Sequence, residues 1–125
     1  MDNERMDRAE ALLGLTFSNR DLLAQALTHA SATEERLMSN ERLEFLGDAV
    51  LGLIVCEYVY RTFPDVLEGE MTKIKSTVVS RRSCAEVADR LDLSSLLDMG
   101  KGMMSRASMP SSVGAAVFES LIGAA

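Results

Sequence analysis

Two cysteines, two prolines and a single histidine are all that 125 residues supply of those types. Cys56 and Cys84 stand alone, without the paired spacing of a zinc site or a disulfide framework. Both read as small core residues of a chain in a reducing compartment. No run of 18 or more apolar residues occurs, and residues 51–56 form only a short one, so no segment can span a bilayer as a helix. The N-terminus, Met-Asp-Asn-Glu-Arg, is charged and has no apolar signal core, so secretion and membrane attachment are not expected and the location is cytoplasmic. Repeats, low-complexity segments and strand-like alternation are missing as well. Basic residues are the scarcer charge, 13 Lys and Arg against 19 Asp and Glu, for a net charge of −6. That deficit argues at first against nucleic acid, because phosphate binding is driven by Lys and Arg. Distribution matters more than the total, however, and carboxylates gathered around a dication count as negative in the sum although the loaded site is not. The cations collect at Lys73, Lys75, Arg81 and Arg82, and again at Lys101 and Arg106. A solvated helix face explains that clustering equally well.

What remains is helical. At this length one domain is expected, 1–125, burying roughly two thirds of its unfolded surface. Met6, Ala9, Leu12 and Leu13 have helical spacing, and Gly14 is a natural stop. Ser18 can cap a second helix through Ala30, with Asp21 placed as in a capping box. Residues 31–39 are polar and read as a turn or half-helix. Ser39 or Asn40 then caps a long central helix that runs to about Thr62, where Phe63-Pro64 ends it. After a loop, residues 70–79 read as a helix with Met71, Ile74, Val78 and Val79 inward. Ser80 caps another over 81–91, with Cys84, Val87, Ala88 and Leu91 inward. Residues 94–99 form a helical turn, 100–108 a Gly/Lys/Met loop that is the best candidate for a mobile segment, and Pro110 opens a last helix from about Ser111. The class is all-α. The last helix stops in mid-pattern at Ala125, the expectation for a chain that continues.

The most informative run is Asn40-Glu41-Arg42-Leu43-Glu44-Phe45-Leu46-Gly47-Asp48-Ala49-Val50. At about 100° per residue, Glu41, Glu44 and Asp48 fall within roughly one sixth of a turn, while Leu43, Leu46, Val50 and Ile54 fall on the other side. Like charges at i,i+4 cost a few tenths of a kcal/mol. A cation offsets such a cost, and hard oxygen ligands suit Mg²⁺ or Mn²⁺. On the last helix Glu119 sits amid Val117, Phe118, Leu121 and Ile122, and a carboxylate among such neighbours needs a partner. His29 follows an apolar helix and reads as a hydrogen-bonded structural residue rather than a general base.

The central run closely resembles the signature of the ribonuclease III family, whose members cut double-stranded RNA. Leu27-Thr28-His29-Ala30-Ser31 looks like the segment ahead of that signature. Phe63-Pro64 with Glu68-Gly69-Glu70-Met71-Thr72 looks like the loop and helix start that follow it. Met99-Gly100-Lys101-Gly102 resembles the family's Gly-Lys-Gly stretch, and Val117-Phe118-Glu119-Ser120-Leu121-Ile122-Gly123-Ala124 resembles its second catalytic helix. Five matches in order cover nearly the whole chain.

The resemblance implies a ribonuclease III-like helical domain, present as a symmetric homodimer. It implies Glu44, Asp48 and Glu119 as metal ligands, with Asp48 and Glu119 catalytic, and supporting carboxylates at Glu41 and Glu68. Phe45 and Gly47 are implied at the dimer contact, the Phe packing into the partner. The cofactor is Mg²⁺, with Mn²⁺ as a possible substitute, and no small-molecule cofactor is expected. The reaction is metal-dependent endonucleolytic cleavage of double-stranded RNA in RNA processing, giving 5′-phosphate and 3′-hydroxyl ends. Two sites related by the dimer axis leave short 3′ overhangs. If two metals bind, a separation of about 3.5–4 Å lets them clamp the attacking and leaving oxygens.

Two departures from the family pattern stand out. Three residues before the second-helix Glu the family usually has an Asp that also reaches metal; here that position is Ala116. Positions 116 and 119 share a helix face, so one carboxylate is missing from each site. Mg²⁺ keeps several waters and needs few protein carboxylates, which leaves both an active enzyme and a catalytically impaired dimer that binds structured RNA or a ribonucleoprotein without cleavage. The second departure is that no double-stranded-RNA-binding domain follows within these residues.

Overall fold

The computed structural model describes residues 2–100 and 110–125. Lys101, Gly102, Met103, Met104 and Arg106, expected in a loop, lie outside the described residues. Six α-helices are present among the described residues, with no strand: α1 (Asn3–Leu13), α2 (Arg20–Ala26), α3 (Glu41–Thr62), α4 (Glu68–Val78), α5 (Arg81–Arg90) and α6 (Ser111–Ala124). Three short 3-10 turns, Ala30–Ala32, Arg36–Met38 and Leu93–Leu96, fill the connections.

Local chemistry sets most of the boundaries. The Asp2 side chain accepts from the Glu4 amide at 2.9 Å to start α1. Gly14 closes that helix at φ 67°, the left-handed conformation glycine adopts without penalty. Ser80 caps α5 by accepting from the Ser83 amide at 3.1 Å. The second helix departs from expectation. Asn19, not Ser18, is its cap, accepting from the amides of Asp21 and Leu22, and it ends at Ala26 rather than Ala30. The cause is tertiary. Thr28 pairs with Asp98 in an isolated parallel bridge, in which the Asp98 amide donates to the Leu27 carbonyl at 2.7 Å and the His29 amide to the Asp98 carbonyl at 2.9 Å. Those bonds draw the backbone out of helical geometry.

The last helix is the centre of the fold. It packs against α2, α3, α5 and the 93–96 turn, and Gly114, Ala115, Val117, Glu119, Ser120, Leu121 and Ala124 on it are all buried. A helix apolar on nearly every side belongs inside. Leu23, Leu27, Leu93, Leu96 and Val117 complete the core around it. The α3–α6 pair is unusually close. A Cβ on Gly47 would lie 1.7 Å from the Glu119 carbonyl oxygen, and one on Gly123 would lie 2.3 Å from that of Leu43. Glycine on both faces is what lets the two backbones approach. Gly47, expected at a contact between copies, thus serves a contact within the chain.

The remainder of α3 is unlike a core helix. Of its 22 residues only Leu43, Gly47 and Val59 are buried, and α4 buries none. Leu46 and Ile54, on the apolar side of the sequence pattern, are exposed, as are Phe45, Leu53, Tyr58 and Tyr60. Val78, expected inward, is half exposed. Cys56, read as a core residue, is exposed too, whereas Cys84 is buried. Apolar periodicity marks a face for burial without saying which molecule covers it.

Candidate active site

The first turn of α3 begins where Ser39 and Asn40 are buried. The Asn40 amide donates to the Thr28 carbonyl at 2.8 Å, and the Ser39 hydroxyl donates to the Arg36 carbonyl at 2.8 Å. These bonds fix the rotation of α3 and so the direction of its acidic stripe. Glu41 is gripped by Arg36, whose Nε and Nη2 donate to its two carboxylate oxygens at 2.6 and 2.9 Å. That fork holds the Glu41 carboxyl below its usual pKa. Glu44, one turn on, accepts from Arg81 Nη1 at 3.1 Å.

The second side of the site comes from α6. Its carboxylate, Glu119, is only 5% exposed. Burial, a hydrogen bond shared with Asp48 and the Asp48 charge together push its pKa up to about 7, with the nearby Arg81 charge opposing them. The close approach at Gly47 brings this about, since the carbonyl that touches Gly47 belongs to Glu119 itself. Arg81 completes the cluster: the Nη1 that bonds Glu44 also lies 3.5 Å from Glu119 Oε1. The acids of α3 and α6 therefore meet, joined by one guanidinium and one carboxyl–carboxylate hydrogen bond.

Glu41, Glu44, Arg81 and Ala116 line a common open pocket of about 320 Å³, together with His29 and Asn40. Position 116 faces the chamber that the acidic stripe faces, and presents a methyl group to it. His29 is hydrogen-bonded locally: its Nδ1 accepts from the Ser31 amide at 3.1 Å. Glu68 is not brought to this pocket. It lies at a separate one with Cys56, Val59 and Met71, between α3 and α4. Phe45, 81% exposed, borders a third hollow of about 540 Å³ lined by Leu22, Gln25, Glu41, Arg42, Leu43 and Leu46.

Three carboxylates gathered from two helices, one of them buried, are hard oxygen donors that fit a dication in chemistry. They do not fit one in present arrangement. Among the described residues no group of three or more His, Cys, Asp or Glu side chains is set to hold a metal ion as it stands, and Arg81 lies against two of the three acids. Arg81 is the site residue that sequence alone does not disclose. Its partners are on two other helices, and in the chain it is one of several cations following a helix cap.

Comparison with known proteins places the chain in a family. Residues 19–125 match the family described as Ribonuclease-III-like. The chain is 52% identical over 120 residues to ribonuclease 3 of Rhodopirellula baltica, which covers 96% of this chain and 45% of that protein. It is 46% identical over 127 residues to ribonuclease 3 of Desulforamulus reducens, covering 98% and 52%. The chain thus spans about half the length of these curated relatives. Among solved structures, it is similar to the nuclease domain of ribonuclease III from Campylobacter jejuni, with a TM-score of 0.83 and 35% identity over 95% of this chain and 82% of that one. That protein is described as flexible in a region involved in dimer formation. Dicer from Pichia stipitis is similar at a TM-score of 0.67 and 27% identity, covering 87% and 46%.

Proposed function

Because the chain belongs to the ribonuclease-III-like family and carries its nuclease domain, we propose that it is a metal-dependent endoribonuclease acting on double-stranded RNA. The observation that carries this reading is the meeting of Glu119 on α6 with Asp48 and Glu44 on α3. Glu44, Asp48 and Glu119 would hold Mg²⁺, or Mn²⁺ in its place. When bound, the ion supplies an activated water and neutralises charge gathering on the phosphate. The chain's own part is orientation and proton handling. Without the ion, burial and Asp48 hold the Glu119 carboxyl up to about 7, so ion binding would release its proton, and Asp48 stands at the exposed end of that pair. The supporting role of Glu41 is to anchor the start of α3 through Arg36. A-form RNA would be read by shape and 2′-hydroxyls. The products would carry 5′-phosphate and 3′-hydroxyl ends.

A homodimer is part of the same proposal. Exposed Phe45, Leu53, Ile54, Tyr58 and Tyr60 on one helix exceed what a lone soluble domain ordinarily leaves uncovered. Phe45 stands beside an apolar-rimmed hollow on its own chain, so a two-fold axis would seat each Phe45 in the other copy's hollow, an isologous contact. A second reading, a dimer that binds structured RNA without cutting it, is favoured by the methyl group of Ala116 in the acidic pocket.

Incubation of the purified chain with a labelled RNA duplex separates them. Cleavage in Mg²⁺ or Mn²⁺ that stops in chelator and in Glu119→Gln supports the enzyme. Binding without cleavage at any metal concentration supports the second reading.

A further inference from the structure

Arg81 deserves a role of its own in this site. It opens α5, directly after the Ser80 cap, and one of its nitrogens serves carboxylates from two other helices, Glu44 at 3.1 Å and Glu119 at 3.5 Å. We propose that Arg81 is the resident counter-charge of the acidic pocket, a positioning residue that holds Glu44 and Glu119 together and that a divalent cation must displace. The inference rests on the metal-dependent reading given above.

Three observations support it. First, Glu119 is almost wholly buried and a carboxylate there requires compensation. The Asp48 contact adds negative charge, and among the described residues Arg81 is the positive group that acts on Glu119. Second, among the described residues the cation at the start of the stripe is committed there: Arg36 is forked onto Glu41. Third, the Arg81 side chain is about half exposed, 54% by area, so it can leave into solvent without tearing the core.

The substitution pattern of the pocket follows. Alanine at 116 offers the chamber no carboxylate, and Arg81 faces the same chamber. Both lower its pull on a dication. The two acids that Arg81 engages are ones that would hold the ion, so guanidinium and metal compete for the same oxygens. Removing one unit of positive charge a few ångströms from the ligands at an intermediate dielectric is expected to tighten dication binding by about tenfold.

The test is Mn²⁺ titration of the purified chain and of Arg81→Gln by calorimetry, with melting temperatures recorded in chelator and in Mn²⁺. The proposal predicts that Arg81→Gln binds Mn²⁺ about tenfold more tightly, melts lower than wild type in chelator, and gains more from Mn²⁺ than wild type does. A merely structural arginine would lower stability without raising affinity. Arg81→Lys, which keeps the charge and loses the guanidinium, should fall between, and it decides the matter on the same criterion should the glutamine variant fold poorly. Equal or weaker Mn²⁺ binding by both variants overturns the role of Arg81 while leaving the nuclease reading in place. Absence of Mn²⁺ binding by every form overturns both.

Discussion

Replacing Gly47 with alanine probes the contact on which the site depends. A Cβ there would lie 1.7 Å from the Glu119 carbonyl oxygen, 2.6 Å from its carbon and 3.0 Å from the Gly123 amide nitrogen, where ordinary contact begins at 3.4 Å. Every one of those atoms is backbone, so no rotamer change relieves the overlap, and α3 and α6 must separate by about the missing 1.7 Å, the difference between 3.4 and 1.7. Overpacking of this sort costs about 1–3 kcal/mol, and a clash between two main chains belongs at the upper end. Alanine returns up to about 1 kcal/mol through its better helix propensity. The net expectation is a loss of about 2 kcal/mol, read by urea denaturation, and a fall in Tm of about 8 °C. Gly52→Ala on the same helix is the control. Its Cβ meets only the Lys75 Cε, at 3.9 Å, so the propensity gain should stand alone. The shifted carbonyl belongs to Glu119, so Gly47→Ala should weaken Mn²⁺ binding as well. A Gly47→Ala protein as stable as wild type, or more stable like the control, would refute the close approach and with it the geometry of the acidic pair.

The remaining predictions concern the carboxylates and the exposed face. In chelator, stability should fall as pH rises from 5 to 8: Glu119 has a folded pKa of about 7 against an ordinary 4.5, so the folded state binds its proton more tightly, and the resulting stability, present below the ordinary value, is lost as pH passes through about 7. The shift sets an upper bound of about 3 kcal/mol; a pH profile that is flat, or unchanged in Glu119→Gln, would contradict the reading. Phe45→Ala should leave the chain's own fold within about 0.5 kcal/mol, since the ring is 81% exposed, while raising the dimer dissociation constant in sedimentation equilibrium by at least about tenfold; an unchanged association constant would remove Phe45 from the interface. Ala116→Asp should lower the Mg²⁺ concentration needed for half-maximal duplex cleavage, and an unchanged requirement would show that the position does not reach the ion.

Much of this fold was legible because its strongest signals are local. Phe63-Pro64 and Pro110 bound the two helices that carry the acids, and the structure places those helices at Glu41–Thr62 and Ser111–Ala124. Ser80 capped as read. The misreadings share a cause, which is that the deciding partner is remote in the chain. Residues 27–29 leave the helix because Asp98 pairs with them. Cys56, Leu46 and Ile54 lie on a face that this chain does not cover. A glycine in a helix announces a close approach without naming the neighbour, so Gly47 was assigned to a second copy when its neighbour is α6. The stripe of Glu44 and Asp48 follows from helical period alone, whereas their meeting with Glu119, and the guanidinium of Arg81 among them, exist only after packing.

Anomalous diffraction from crystals soaked in Mn²⁺ addresses the shared acidic pocket most directly. The account predicts a peak bonded to carboxylate oxygens from both α3 and α6, at distances near the about 2.1 Å usual for a hard dication of this size, with Arg81 withdrawn from Glu44. Full occupancy of Mn²⁺ at some other place on the surface, with Arg81 still bonded to Glu44 and Glu119, would contradict it.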